Sequence, residues 1–306
     1  MVKNSFLKDS FQASMLNKLL IINIFIYLLI SLADVLCYLI IPPQTDYISS
    51  LMVKYFAVPA YGWNLLTRFW TPFTYMFLHV NFWHIFGNML WLFFMGRMFS
   101  QLLTNKHLFG VYVLGGFSGA LLYVISYNIF PAFSLVLPMS LCFGASASVT
   151  AIVISVAVLR PDERVYFFGI FPIALKWLAL LYVLYDLMQL SGDNAGGHFA
   201  HLGGAVFGAI FGWQMRQGKD LTQRFNKIID SIVSLFSFSG KRGMRVVYRN
   251  TTSKTTDTSR MSDAQYNQYK ASEQQRMDEI LDKISKSGYT SLTSEEKEFL
   301  YKMSKK

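Results

Sequence analysis

Charge is scarce in this chain. Asp, Glu, Lys and Arg make up 15% of its 306 residues, while apolar residues reach 53% and aromatic ones 16%. A soluble protein of this length needs more polar surface, so the balance excludes an ordinary soluble enzyme and points to a polytopic membrane protein. Cysteine is nearly absent. Cys37 and Cys142 make no disulfide framework and leave a cysteine-based metal site without ligands. Missing too is any nucleic-acid-binding motif to accompany the net charge of +10. The positive charge gathers toward the C-terminus: residues 1–215 hold 10 Lys/Arg against 7 Asp/Glu, and residues 216–306 hold 18 against 11. Such a basic tail suits the anionic lipid of a cytoplasmic membrane face.

Apolar runs of spanning length fall near 17–41, 80–101, 107–128, 145–160, 170–190 and 198–215. The first is too long for a signal-peptide core and lacks a small-residue cleavage site, so it reads as a retained span. The fourth and sixth are short and rich in small residues. Lys3, Lys8 and Lys18 precede the first run, and Arg97 and Lys106 flank the second turn. Arg160 and Arg164 follow the fourth run, and Arg216, Lys219 and Arg224 follow the sixth; the opposite loops carry only Lys54 and Arg68. Positive residues stay on the cytoplasmic side, so both termini are expected there.

The expected organisation is a cytoplasmic N-terminus (1–16), a six-helix membrane domain (17–215), an amphipathic helix with a basic linker (216–261) and a cytoplasmic helical hairpin (262–306). Trp63, Trp70, Tyr47, Tyr55 and Tyr61 in the outer loop 42–79 suit a headgroup region. In the tail, Phe225, Ile228, Ile229, Ile232 and Phe236 share one helical face, fit for a lipid surface or a partner. Met277, Ile280, Leu281 and Ile284 recur at helical spacing, Gly288 ends that helix, and Thr293 with Glu296 forms a capping box for the next. So small a hairpin buries little, and docking or self-association through it is expected.

Runs two, four and six all start at the outer face and carry polar residues within their first turns. The second has His79, His84 and Asn88; the fourth opens with "CFGASASVT" (142–150); the sixth opens with "GGHFAHLGGAVFG" (196–208). At the helical rise these groups lie roughly 5–12 Å below the surface, so three distant segments share one layer. A serine needs a base to become nucleophilic, and Ser146 sits among Gly144, Ala145 and Ala147 with little bulk around it. His201, Gly204 and Gly208 share one face, and the glycines remove side chains where another helix must come close. His84 and Asn88, four apart, can donate to a developing oxyanion. No acid adjoins these residues in sequence, so a Ser–His dyad is the economical expectation. Asp34 and Asp186 lie inside spans, each either a functional acid or a capping or water-contacting group near the outer surface. Singly, each signal has a plainer reading: "GASAS" as a packing patch, Asn88 as interhelical glue, His198 as a structural donor at the mouth of its span.

Together, "HVNFWHIFGNMLWL", "GASAS" and "AHLGGAVFG" resemble the rhomboid intramembrane serine proteases over about residues 15–215. The resemblance implies an all-α six-transmembrane-helix rhomboid core with a small helical cytoplasmic tail. It implies Ser146 as nucleophile, His201 as general base, and His84, Asn88 and the Ser146 N–H as the oxyanion hole, with His79 supporting the site. Gly144, Gly204 and Gly208 shape it, and neither metal nor organic cofactor is needed. The substrates would be transmembrane segments of other proteins, and the location the lipid bilayer of a bacterial inner membrane. Three departures stand out: Ala147 replaces the glycine after the nucleophile, Thr150 replaces an aromatic residue that stacks on the histidine, and Trp70-Thr71 replaces a Trp-Arg pair. The alternatives are a non-catalytic rhomboid-like protein that binds membrane clients, or a transporter using the histidines as a proton path. The transporter would favour an inverted repeat that is not legible here.

Overall fold

Apolar runs in lipid must satisfy their backbone N–H and C=O groups internally, and helices do so. Each run expected to span contains a helix in the structure, a computed structural model that describes residues 14–41, 46–167, 171–236 and 263–303. In chain order these are α1 (Met15–Ile40), α2 (Tyr47–Phe56) and α3 (Gly62–Thr67) in the long loop after it, α4 (Phe82–Leu102), α5 (Asn105–Ile129), α6 (Ser146–Leu159), α7 (Leu175–Met188), α8 (Ala195–Arg216) and α9 (Gln223–Phe236). The C-terminal segment adds α10 (Asp263–Ser287) and α11 (Ser294–Met303). The chain divides into two units, Met1–Phe238 and Ser239–Lys306. Much of the expected N-terminal segment and most of the linker lie outside the described residues.

By length and composition, α1 and α5 meet the requirement for crossing a membrane, and α6 is a shorter apolar helix. The six expected spans are thus six helices, of which two pass on length and hydropathy alone. The physical reason is visible in α6, whose 14 residues cover roughly 21 Å, and in the glycines and polar groups of α4 and α8. The fifth helix also starts later than 170. Residues Phe171–Ala174 pair antiparallel with Arg164–Phe167, and α7 begins at Leu175. Pro172 disfavours helical backbone at the residue before it, which holds that stretch extended.

α6 is the hub of the first unit. It is buried along almost its whole length and lies most extensively against α8, then α5 and α4. α1 is the opposite: Phe25, Leu28, Leu32 and Leu39 on its outer face are all more than half exposed. Large apolar groups outside and small or polar groups inside are the arrangement expected of a lipid solvent. Asp34, one of the two acids inside apolar runs, caps α2 by accepting from the Ile48 N–H at 2.7 Å and the Ser49 N–H at 3.2 Å. Trp63, Leu66 and Phe69 project from the loop between α1 and α4, each about two-thirds exposed or more.

α9 carries its apolar Ile228, Ile232 and Val233 exposed, while Phe225 meets Phe109 of α5 at 6.0 Å and Asp230 takes Lys106 at 2.6 Å. In the second unit, Gly288 ends α10 at φ +76°, and Thr293 and Glu296 form the expected capping box. Lys283 of α10 reaches the Glu296 carboxylate at 2.8 Å.

Candidate functional site

Three devices set Ser146 at the start of α6. Strand Val58–Pro59 of the loop between α1 and α4 pairs antiparallel with Leu141–Cys142, fixing the chain just ahead of the helix. The Gly144 N–H then donates to the Tyr75 carbonyl at 2.9 Å. Gly144 itself adopts φ +121°, a conformation that favours glycine, and a Cβ there would lie 2.7 Å from the His84 ring. The Ala145 N–H points at His79 Nε2, 3.4 Å away. Ser146 is half-buried. The methyl of Ala147, the departure noted above, is accommodated because α5 presents Gly119 there: a Cβ on Gly119 would stand 2.5 Å from it.

His201 is carried on the first turns of α8, and missing side chains seat that helix. A Cβ on Gly204 would run into the Ala147 carbonyl and one on Gly208 into the Ala151 carbonyl. Across the other side, the Ser118 hydroxyl of α5 donates to the Gly203 carbonyl at 2.7 Å. The helices therefore meet backbone to backbone, in the manner of small-residue interfaces. His201 lies one turn before Gly204, and Ser146 directly before Ala147.

The His201 imidazole has two further neighbours, both from α7. Its Nδ1 lies 2.9 Å from Asp186 Oδ1. The Tyr182 ring stacks on it at 6.1 Å between centroids and 28° between planes, while the Tyr182 hydroxyl meets Thr150 Oγ1 at 3.0 Å. Asp186 is 1% exposed, and its Oδ1 also lies 2.7 Å from His198 Nδ1. A buried carboxylate requires such partners, since desolvation otherwise costs several kcal/mol. Asp186, His198 and His201 have ligand atoms within 4.8 Å of one another and are the group, among the described residues, that could hold a cation.

α4 supplies the third wall. Asn81 caps it, its side chain accepting from the His84 N–H at 2.7 Å. The Asn88 amide donates to the His84 carbonyl at 3.1 Å and faces His79 Nε2 at 3.2 Å. Two donors on that nitrogen put the proton of a neutral His79 on Nδ1. His84 is half-buried, its ring 5.0 Å from that of His79 and 6.1 Å from that of Phe143.

The structure thus gathers His79, His84, Asn88, Gly144, Ser146, His201, Gly204 and Gly208 along the N-terminal halves of α4, α6 and α8 and the residues just ahead of them. Among the described residues no hydrogen bond joins Ser146 to His201. Asn88 is turned toward His79 and is itself buried. Sequence reasoning missed Tyr182 and left the role of Asp186 open; both touch the histidine from another helix. A tyrosine and an aspartate four apart on one helical face were the available signal. The chemistry within reach is acyl transfer: a hydroxyl, an imidazole whose Nε2 is left free by the Asp186 contact, and N–H donors nearby.

The family description Rhomboid domain matches residues 66–218. Residues 262–306 match a family of unknown function, DUF6576. The chain is also similar to RHOMBOID-like protein 12, mitochondrial, of Arabidopsis thaliana, at 28% identity over 161 residues, which are 50% of this chain and 48% of that protein. The chain therefore matches about half the length of that relative.

Proposed function

Because the chain belongs to the Rhomboid family and is a membrane protein, we propose that it is an intramembrane serine endopeptidase acting on transmembrane segments of other proteins. In this reading α1 and α4 to α8 span the bilayer with both termini cytoplasmic, and the outer ends of α4, α6 and α8 open to water. His201 Nε2 takes the Ser146 hydroxyl proton as Oγ attacks the substrate carbonyl carbon. The resulting oxyanion accepts from the Ser146 N–H and from His84, with Asn88 joining by exchanging its contact with His79. The intermediate collapses as His201 returns the proton to the leaving amine, and water repeats the sequence to free the acyl group. A substrate helix must unwind locally to offer its carbonyl, so glycine or other helix-weakening residues near the cut are favoured.

The observation that supports this most is the backbone contact of Gly204 and Gly208 with Ala147 and Ala151, because helices this close bring the residues before them side by side. A second reading, a non-catalytic binder of membrane clients, draws on the missing Ser146–His201 hydrogen bond. The two separate in proteoliposomes holding a reporter whose transmembrane segment carries a glycine near its outer end. Cleavage lost in Ser146→Ala and in His201→Ala is the expected result. A folded wild type that binds the reporter without cutting it, equally with Ser146→Ala, would establish the binder instead.

A further inference from the structure

A histidine acting as base must present a free Nε2 lone pair in one orientation. In this chain the residue one turn after the nucleophile is Thr150, which has no ring to hold an imidazole. The hydroxyl of Thr150 instead meets Tyr182 at 3.0 Å, and the Tyr182 ring lies over His201 at 28°. One turn along the same helix, Asp186 Oδ1 sits 2.9 Å from His201 Nδ1. Thr150 on α6 thus meets Tyr182 on α7, and Tyr182 and Asp186, an i, i+4 pair, both contact the His201 ring.

We infer that Tyr182 and Asp186 are the positioning residues of His201, Tyr182 fixing the plane of its ring and Asp186 fixing its tautomer. The inference rests on reading Ser146 and His201 as nucleophile and base. A carboxylate only accepts hydrogen bonds, so the contact puts the proton of a neutral His201 on Nδ1 and leaves Nε2 as the acceptor. When His201 takes the serine proton, the same carboxylate faces the new positive charge. Asp186 can serve this way because it is buried and because His198 supplies a second hydrogen bond to it. The groups in contact with His201 are Asp186 and Tyr182 from α7 and His198 from its own helix. In this reading His201 is held on one side by Asp186 at Nδ1 and over its face by Tyr182, with Nε2 left to serve Ser146.

The test uses the full chain, purified in detergent and labelled with a fluorophosphonate, with each variant checked for folding by its melting curve. Asp186→Asn is expected to slow Ser146 labelling by about a hundredfold or more, because an amide can donate to Nδ1 and install the wrong tautomer. Tyr182→Phe, which keeps the ring and loses the Thr150 bond, should slow it about fivefold. The second readout is the proton resonance of the His201 Nδ1–H in protein labelled with ¹⁵N-histidine. It should be present in wild type and Ser146→Ala, absent in His201→Ala, and lost in Asp186→Asn. If Asp186→Asn does not fold, Asp186→Glu serves: a retained resonance with at least partial labelling supports the inference. Wild-type labelling rate in folded Asp186→Asn would overturn it, as would a His201 resonance that survives that substitution. So would labelling that chelation abolishes and zinc restores, since the three groups would then serve a cation. Absence of all labelling in a wild type that shows the resonance would instead overturn the protease reading.

Discussion

Where α6 meets α8, the helices touch through glycines set on the carbonyls of Ala147 and Ala151. In the C-terminal hairpin, α10 and α11 are joined by long side chains: Lys283 to Glu296 at 2.8 Å, and Arg276 over the Phe299 ring at 5.1 Å. The first contact depends on atoms that are missing, and the second on atoms that reach. In lipid there is no hydrophobic drive between helices, so dispersion and shape must hold them, and one added methyl has nowhere to go. In water a solvated ion pair contributes little and its loss is absorbed locally. The region under tight steric control is thus the one that carries the candidate chemistry.

Substitutions at the small residues break this comparison hardest. Gly204→Val drives two methyls against the Ala147 backbone and should destabilise the first unit by about 3 kcal/mol or more, with labelling of Ser146 lost. Gly62→Ala is the control: a Cβ there meets nothing within 4 Å, and its melting curve should match wild type. Gly144→Ala is the next largest. It forces a side chain into positive φ at a cost of about 1–2 kcal/mol and crowds His84, so labelling should fall more than the melting temperature does. Ser118→Ala removes a single hydrogen bond to the Gly203 carbonyl and should cost about 1 kcal/mol without touching the chemistry.

The hairpin gives the smallest effects. Glu296 is held below its ordinary value of 4.5, first by the Lys283 hydrogen bond and then by the Thr293 backbone N–H. A carboxyl with a depressed folded pKa contributes fully above its unfolded value, and the contribution is lost as pH falls through the folded one. Amide protection at Thr293 to Lys297 in the full chain, taken relative to the intrinsic exchange rate at each pH, should therefore fall only below about pH 4.5. In Glu296→Gln it should be roughly threefold lower at neutral pH and lose that acid dependence. Ser146 labelling should not change in either case.

The helices were legible because long apolar runs have one economical backbone solution, and the three polar motifs because they stand out against that background. What sequence left open was partnership between helices. Asp34 and Asp186 look alike as acids in apolar runs, yet one caps a helix in the adjoining loop and the other holds histidines from α8. Nothing in spacing separates these roles, since each depends on which helix packs alongside. Thr150 looked like a lost ring; the ring arrives from α7 as Tyr182, a compensation visible only in three dimensions. Ala147 looked like an intrusion, and Gly119 on α5 makes the room. The start of the fifth helix was misplaced because Pro172 holds Phe171–Ala174 extended within an apolar stretch that hydropathy alone reads as continuous.

The central claim is that Ser146 is a nucleophile made reactive by His201. Mass spectrometry of the fluorophosphonate-treated full chain tests it most directly. An adduct on the peptide containing Ser146 in wild type, absent in Ser146→Ala and reduced at least a thousandfold in rate in His201→Ala, is the predicted result. Folded wild-type protein that carries no adduct, or one whose adduct forms equally fast without His201, would contradict it.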